Sequence, residues 1–143
     1  MNFMRCIKTT DITMDRREEI LKMRTEMGYN CAQAALCALE DMTNLDRETA
    51  IAVTEGAGGG MRCGEICGAL SGAVLALGLI CRNRGEPMIR NARVKELTEE
   101  LTARFKEREG HLACRDLLAE CGHANCNKYI IDAVEIVSEL TKE

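Results

Sequence analysis

Apolar positions recur at helical spacing along most of the chain, and the points where that rhythm stops mark its joints. In residues 12–27 charged positions alternate with Ile20, Leu21, Met23 and Met27, and Gly28 supplies a stop, which predicts an amphipathic first helix. Asn30 is placed to cap a second helix, "CAQAALCALEDM", whose alanine-rich face suits close contact. The turn "TNLD" follows, and Asp46 can cap "RETAIAVTEGA", with Glu48 well placed in its first turn. A glycine loop, Gly56 to Gly64, then leads into a fourth predicted helix from near Glu65 to about Arg82. "NRGEP" breaks the chain, and Pro87 sits at the first turn of a long fifth helix closed by Gly110. That helix reads as a solvated outer one, with Val94, Leu97, Leu101 and Phe105 facing the core. A short helix around "LACRDLLAE" and a terminal one, "CNKYIIDAVEIVSELTKE", are divided by Gly122.

The pattern predicts an all-α fold: one compact helical bundle of about six or seven helices, with residues 1–143 as a single domain and no repeat or linker. Composition agrees, since 46% of the 143 residues are apolar and only 3% aromatic, a balance that favours helix over strand. The formal charge of −4 is mild and of mixed sign, so nucleic acid and anionic membranes are not expected partners. Residues 66–81 carry no charge, but sixteen positions fall short of the roughly 20 that a spanning helix needs, so a buried helix without membrane insertion is expected. The opening "MNFMRCIKTTD" has no apolar signal-peptide core, which favours the cytoplasm.

The glycine loop does not match a phosphate cradle, because no GxxxxGK[ST] is present and no strand precedes it. In the helix that follows, Gly68, Gly72 and Ala76 recur every four residues, with Ala69 and Ala73 beside them. Such a stripe lets another backbone come close, while Leu70, Val74, Leu75 and Leu77 fill the remaining contacts. A helix-interior glycine costs about 1 kcal/mol against alanine, so two of them need a packing or ligand-approach reason. Glu55, Arg62 and Glu65 border the loop and read as caps or solvated charges. No Ser/His/Asp set, carboxylate pair or HExxH is legible, so no enzymatic reaction is assigned.

Nine cysteines change the picture: Cys6, Cys31, Cys37, Cys63, Cys67, Cys81, Cys114, Cys121 and Cys126. In a reducing compartment an odd number at this density points to metal, cluster or redox chemistry rather than a disulfide framework. Cys67 and Cys81 lie about 21 Å apart along one helix, too far for one site, so Cys81 reads as a buried hydrophobe. Cys31 and Cys37 are turned about 120° from each other, so only one of them suits a common centre. Without a CxxC, what remains is a dispersed set: Cys31 and Cys67 at helix starts, where the helix dipole favours thiolate, and Cys114, Cys121 and Cys126 near the C-terminus. Cys63 could join if the loop folds back, although the free-thiol reading serves it, Cys6 and Cys37 equally. His111 and His123 keep a mixed Cys/His zinc site open.

The segments "NCAQA", "GGGMRCGEICGALSGA", "ACRDLL" and "CNKYIIDAVEI", in this order, resemble the redox-active family called C_GCAxxG_C_C, defined by four cysteines and a CGAxxG motif. Here the motif is Cys67 to Gly72, and the other family cysteines match Cys31, Cys114 and Cys126. The resemblance implies a small helical redox protein, and a similar domain in split-Soret cytochromes raises the weight of an iron–sulfur centre. The expected site is therefore an iron–sulfur cluster, most simply [2Fe–2S], held by Cys31, Cys67, Cys114 and Cys126 for electron transfer or redox sensing with a partner protein. Gly68 and Gly72 would let backbone N–H groups approach its sulfurs. Two alternatives stand beside it: metal-free thiol–disulfide chemistry by Cys31/Cys67 and Cys114/Cys126, and a structural zinc module using His111 or His123. Small-residue faces and a Met-rich N-terminus permit a homodimer.

Overall fold

The computed structural model describes residues 14–142, the side chains of Met14 and Asp15 excepted; Cys6 and the start of the predicted first helix lie outside the described residues. Within them the fold is all-α. Its elements are α1 (Met14–Thr25), α2 (Cys31–Cys37), α3 (Glu40–Thr43), α4 (Arg47–Thr54), α5 (Gly68–Cys81), α6 (Pro87–Glu109), α7 (Cys114–Cys121) and α8 (Cys126–Leu140). A turn at Gly60–Gly64 precedes α5 and a 3₁₀ turn at Gly122–Asn125 precedes α8.

Helix α5 is the axis of the molecule, packed by α2, α6 and α8. Gly68, Ala69, Gly72, Ala73 and Ala76 form its buried small-residue face. A methyl group on Gly72 would stand 2.5 Å from the Ala32 carbonyl oxygen and 2.9 Å from the Ala35 Cβ, so α2 lies against α5 almost backbone to backbone. Larger side chains close the remaining space: Leu70 and Leu77 from α5, Leu97, Leu101 and Phe105 from α6, Ile130, Val134, Ile136 and Val137 from α8, and Ile20 and Met23 from α1. Each such side chain contributes about 1.5–3 kcal/mol when fully buried. Phe105 meets Tyr129 edge to face, with ring centroids 6.2 Å apart.

Local signals set several ends. Asn30 and Gln33 form a reciprocal capping box at the start of α2, and the Asp46 side chain accepts from the Thr49 N–H at 3.0 Å. Pro87 opens α6, and Gly110, at φ +92°, closes it.

Three expectations need correction. The second predicted helix is broken: it ends at Cys37, Leu39 leaves helical geometry, and α3 follows as a separate turn. The fourth begins at Gly68 rather than Glu65, because residues 65–67 are held extended against residues 112–114. Leu75, Leu21 and Met27, expected in contact with the core, are largely exposed.

Candidate four-cysteine site

The site is built by helix starts. Cys31 is the first residue of α2, Cys67 the residue that caps α5, Cys114 the first of α7 and Cys126 the first of α8. At a helix start the free backbone N–H groups and the helix dipole favour negative charge, so each of these thiols occupies a place suited to an anion.

Two backbone hydrogen bonds draw the second and third starts together. The Cys67 N–H donates to the Leu112 carbonyl at 2.8 Å, and the Cys114 N–H donates to the Glu65 carbonyl at 2.6 Å. They flank an isolated antiparallel bridge between Ile66 and Ala113. Cys31 is placed by its capping box and by the Asn30 amide, which donates to the Thr54 and Glu55 carbonyls at the end of α4. Its sulfur lies against the start of α5: a methyl group on Gly68 would stand 2.3 Å from the Cys31 Sγ. Only glycine admits that approach. Cys126 is tied in by Arg24, which donates from Nε to Asn127 Oδ1 at 3.1 Å and from Nη1 to the Tyr29 carbonyl at 2.8 Å. One arginine thus links the segment before Cys31 to the residue after Cys126.

The glycine loop wraps Cys114. Gly59, Gly60, Met61 and Arg62 all take positive φ, between 62° and 65°, a single left-handed turn. A side chain on Gly60 would stand 2.6 Å from the Glu65 backbone and 2.8 Å from the Cys114 Cβ, so glycine is required there on two counts. Met61 and Arg62 have no such exemption, and each pays roughly 1–2 kcal/mol for left-handed geometry. Arg62 helps to hold the turn by donating to the Glu55 carbonyl at 2.6 Å.

Electrostatics bind the four thiols into one group. Burial pushes the Cys67 thiol up to about 12; the N–H groups of Ala69 and Leu70 oppose the shift, and the neighbouring Cys31 and Cys114 add to it. Cys114 is raised by burial and then by Cys31. Cys126 is raised by burial, lowered by Arg24, and raised again by Cys31 and Cys114. All three therefore sense Cys31, and Cys67 and Cys126 also sense Cys114. Burial outweighs the helix starts, so with nothing in place of their protons these three are held in the neutral form at pH 7.

The other described cysteines fall outside these four helix starts. Cys37, at the far end of α2, is fully buried near Arg47, Glu40 and Glu19, and burial pushes its thiol up to about 11. Cys81, the last residue of α5, is buried in the core, as its spacing predicts. Cys121 ends α7 and is exposed. Cys63 is exposed in the glycine loop, its thiol 3.5 Å from the Gly60 carbonyl. All the described cysteines are free thiols, and among the described residues no group of three or more His, Cys, Asp and Glu side chains is arranged to hold a metal ion.

Of the two histidines, His111 pairs with Glu120, while His123 Nδ1 lies 3.7 Å from the Cys126 Sγ. Glu65, read from the sequence as a cap or solvated charge, is paired with Arg115 across the bridge. Gly72 serves the approach of α2 to α5 and Gly68 the approach of the Cys31 sulfur. The reasoning from sequence missed Arg24, for which an isolated arginine in a charged helix gives no signal. It also missed the pairing of residues 65–67 with 112–114.

A model of the family described as "Putative redox-active protein (C_GCAxxG_C_C)" matches residues 29–140. No curated protein and no solved structure matches the chain. Among the described residues no helix is long and apolar enough to cross a membrane.

Proposed function

The chain belongs to the C_GCAxxG_C_C family, whose description is that of a redox-active protein, and from that premise we propose that Cys31, Cys67, Cys114 and Cys126 hold an iron–sulfur cluster, most simply [2Fe–2S]. The observation that carries the reading is the placing of all four thiols at helix starts. Four thiolates gathered in a partly buried place repel one another, and both the helix starts and a bound cation relieve that repulsion. Four sulfurs suffice for such a cluster, and Cys67, Cys114 and Cys126, whose thiols burial raises, would each exchange a proton for the cation on binding. When bound, the cluster supplies a one-electron couple.

The protein's own residues hold and tune. Gly68 admits the Cys31 sulfur to the start of α5, the bridge at Ile66 and Ala113 fixes the spacing of Cys67 and Cys114, and Arg24 adds a positive charge beside Cys126. Anaerobic purification tests the reading. The protein is expected to be brown, to contain iron and acid-labile sulfide, and to bleach with dithionite; a colourless protein that takes up no iron on anaerobic reconstitution overturns it.

A second reading rests on the closeness of the Cys31 sulfur to the residue after Cys67. There the thiols of Cys31 and Cys67 would each give up a proton and together two electrons to an external disulfide, forming one S–S bond, and Cys114 with Cys126 would do the same. It predicts iron-free protein whose free-thiol count falls and recovers with oxidant and reductant. Stoichiometric zinc in colourless protein would instead favour a structural module in which His123, beside Cys126, replaces a thiolate.

A further inference from the structure

At the end of α5 opposite Cys67, the chain turns through residues 82–86 into α6. Residues 82–93 carry four arginines, Arg82, Arg84, Arg90 and Arg93, against one acid, Glu86, although the formal charge of the whole chain is −4. The mild overall charge, which argues against an anionic partner for the chain as a whole, thus hides a local positive excess. Arg82, Arg84 and Arg93 are exposed, while Arg90 is half-buried and holds the corner by donating to the Arg82 carbonyl. Arg93 pairs with Glu96 at 3.2 Å in an exposed contact, which is weak enough to be exchanged for another anion. No side chain caps α6, so its first-turn N–H groups add positive character at the same point.

Apolar surface stands among these charges. Met88 and Ile89 follow Pro87 in the first turn of α6 and are the most exposed large apolar side chains among the described residues, at 86% and 65%. Ile89 reaches back over the corner, since a methyl group on Gly85 would stand 3.8 Å from its Cγ2. Two grooves open beside the pair. One, of about 410 Å³, is lined in part by Arg82, Arg90 and Val94; the other, of about 250 Å³, by Arg84, Arg93, Leu97 and Leu140. Each joins two guanidinium groups to an apolar wall.

We propose that the α5–α6 corner docks reversibly on an anionic lipid surface, with Met88 and Ile89 entering the boundary between headgroups and acyl chains and Arg82, Arg84 and Arg93 meeting lipid phosphates. Such a surface offers negative charge and hydrocarbon together, which matches an exposed apolar pair flanked by arginines. Helix α5, of 14 residues, separates the corner from Cys67 by roughly 20 Å, so docking does not depend on what the cysteines hold.

Co-sedimentation of the full-length protein with vesicles tests this. Pelleting is expected with phosphatidylcholine vesicles that contain phosphatidylglycerol, not with phosphatidylcholine alone, and raised salt should release the protein. Arg82→Gln and Arg93→Gln should each weaken binding roughly fivefold. The double variant Met88→Ser, Ile89→Ser should weaken it by roughly tenfold or more, with far-ultraviolet circular dichroism unchanged because both side chains lie outside the core. Failure to pellet with the anionic vesicles overturns the proposal, as does pelleting that the double variant leaves intact. Retention on immobilised polyglutamate without vesicle binding would assign the corner to an acidic protein instead, and overturns it equally.

Discussion

Helices α2, α5 and α7 each carry a cysteine at or next to both ends, and the two ends are different chemical places. At the starts, Cys31 and Cys114 are brought to Cys67 by the close approach at Gly68 and by the Ile66–Ala113 bridge, and Cys126, from α8, senses Cys31 and Cys114. At the far ends, Cys37 is buried among Arg47, Glu40 and Glu19, Cys81 lies in the core, and Cys121 faces solvent. The residue type is the same; the direction of the helix is not. Free N–H groups at a start favour a sulfur anion, and free carbonyls at an end oppose it. Counting cysteines is therefore less informative than asking which end of a helix each one occupies.

The sharpest way to break this contrast is to remove one thiol from each class. Cys67→Ser is expected to abolish bound iron and the dithionite-sensitive absorption, with far-ultraviolet circular dichroism unchanged. Cys81→Ala should retain both. Equal loss in the two variants would remove the distinction between helix starts and ends.

Glycine replacements sharpen it next. Gly68→Ala places a methyl group where the Cys31 sulfur stands and should destabilise the protein by about 1–3 kcal/mol in urea unfolding, with loss of the proposed iron-binding site. Removing a sulfur from the other class has a smaller effect: Cys37→Ala should cost about 1–2 kcal/mol through a small cavity, with iron content unchanged.

The thiols also set a pH response. Burial holds Cys67 neutral, with a folded-state value near 12 against an ordinary 9. That contribution to stability is complete below pH 9 and fades as pH rises toward 12, so iron-free wild type should lose more stability over this range than Cys67→Ala. Smallest of all, and opposite in sign, Gly78→Ala is expected to stabilise by about 0.5–1 kcal/mol. A methyl group there meets nothing within 4 Å, whereas at Gly72 of the same helix it meets a backbone.

Much of the fold is legible from residues that act locally. Pro87 and Gly110 bound α6, Asn30 and Asp46 cap α2 and α4, and each signal depends only on its own neighbours. The four cysteines are legible as a motif spread along the chain. The bridge that brings Cys67 to Cys114 is not, because it is a single residue pair joining segments more than forty positions apart, with no alternation to announce a strand. Nor is the left-handed turn: Gly59 and Gly60 permit it, but Met61 and Arg62 adopt it against their own preference, held by contacts the sequence does not display. Leu75 shows the converse error, an apolar residue on a central helix that faces water.

The two hydrogen bonds across the bridge also equip the protein with an isotopic clock. The amide hydrogens of Cys67 and Cys114 are each locked onto the opposite segment, so neither can exchange in heavy water until residues 65–67 and 112–114 part. Their deuteration should proceed at one common rate, and that rate measures how often the assembly comes open, whether or not anything is bound inside it.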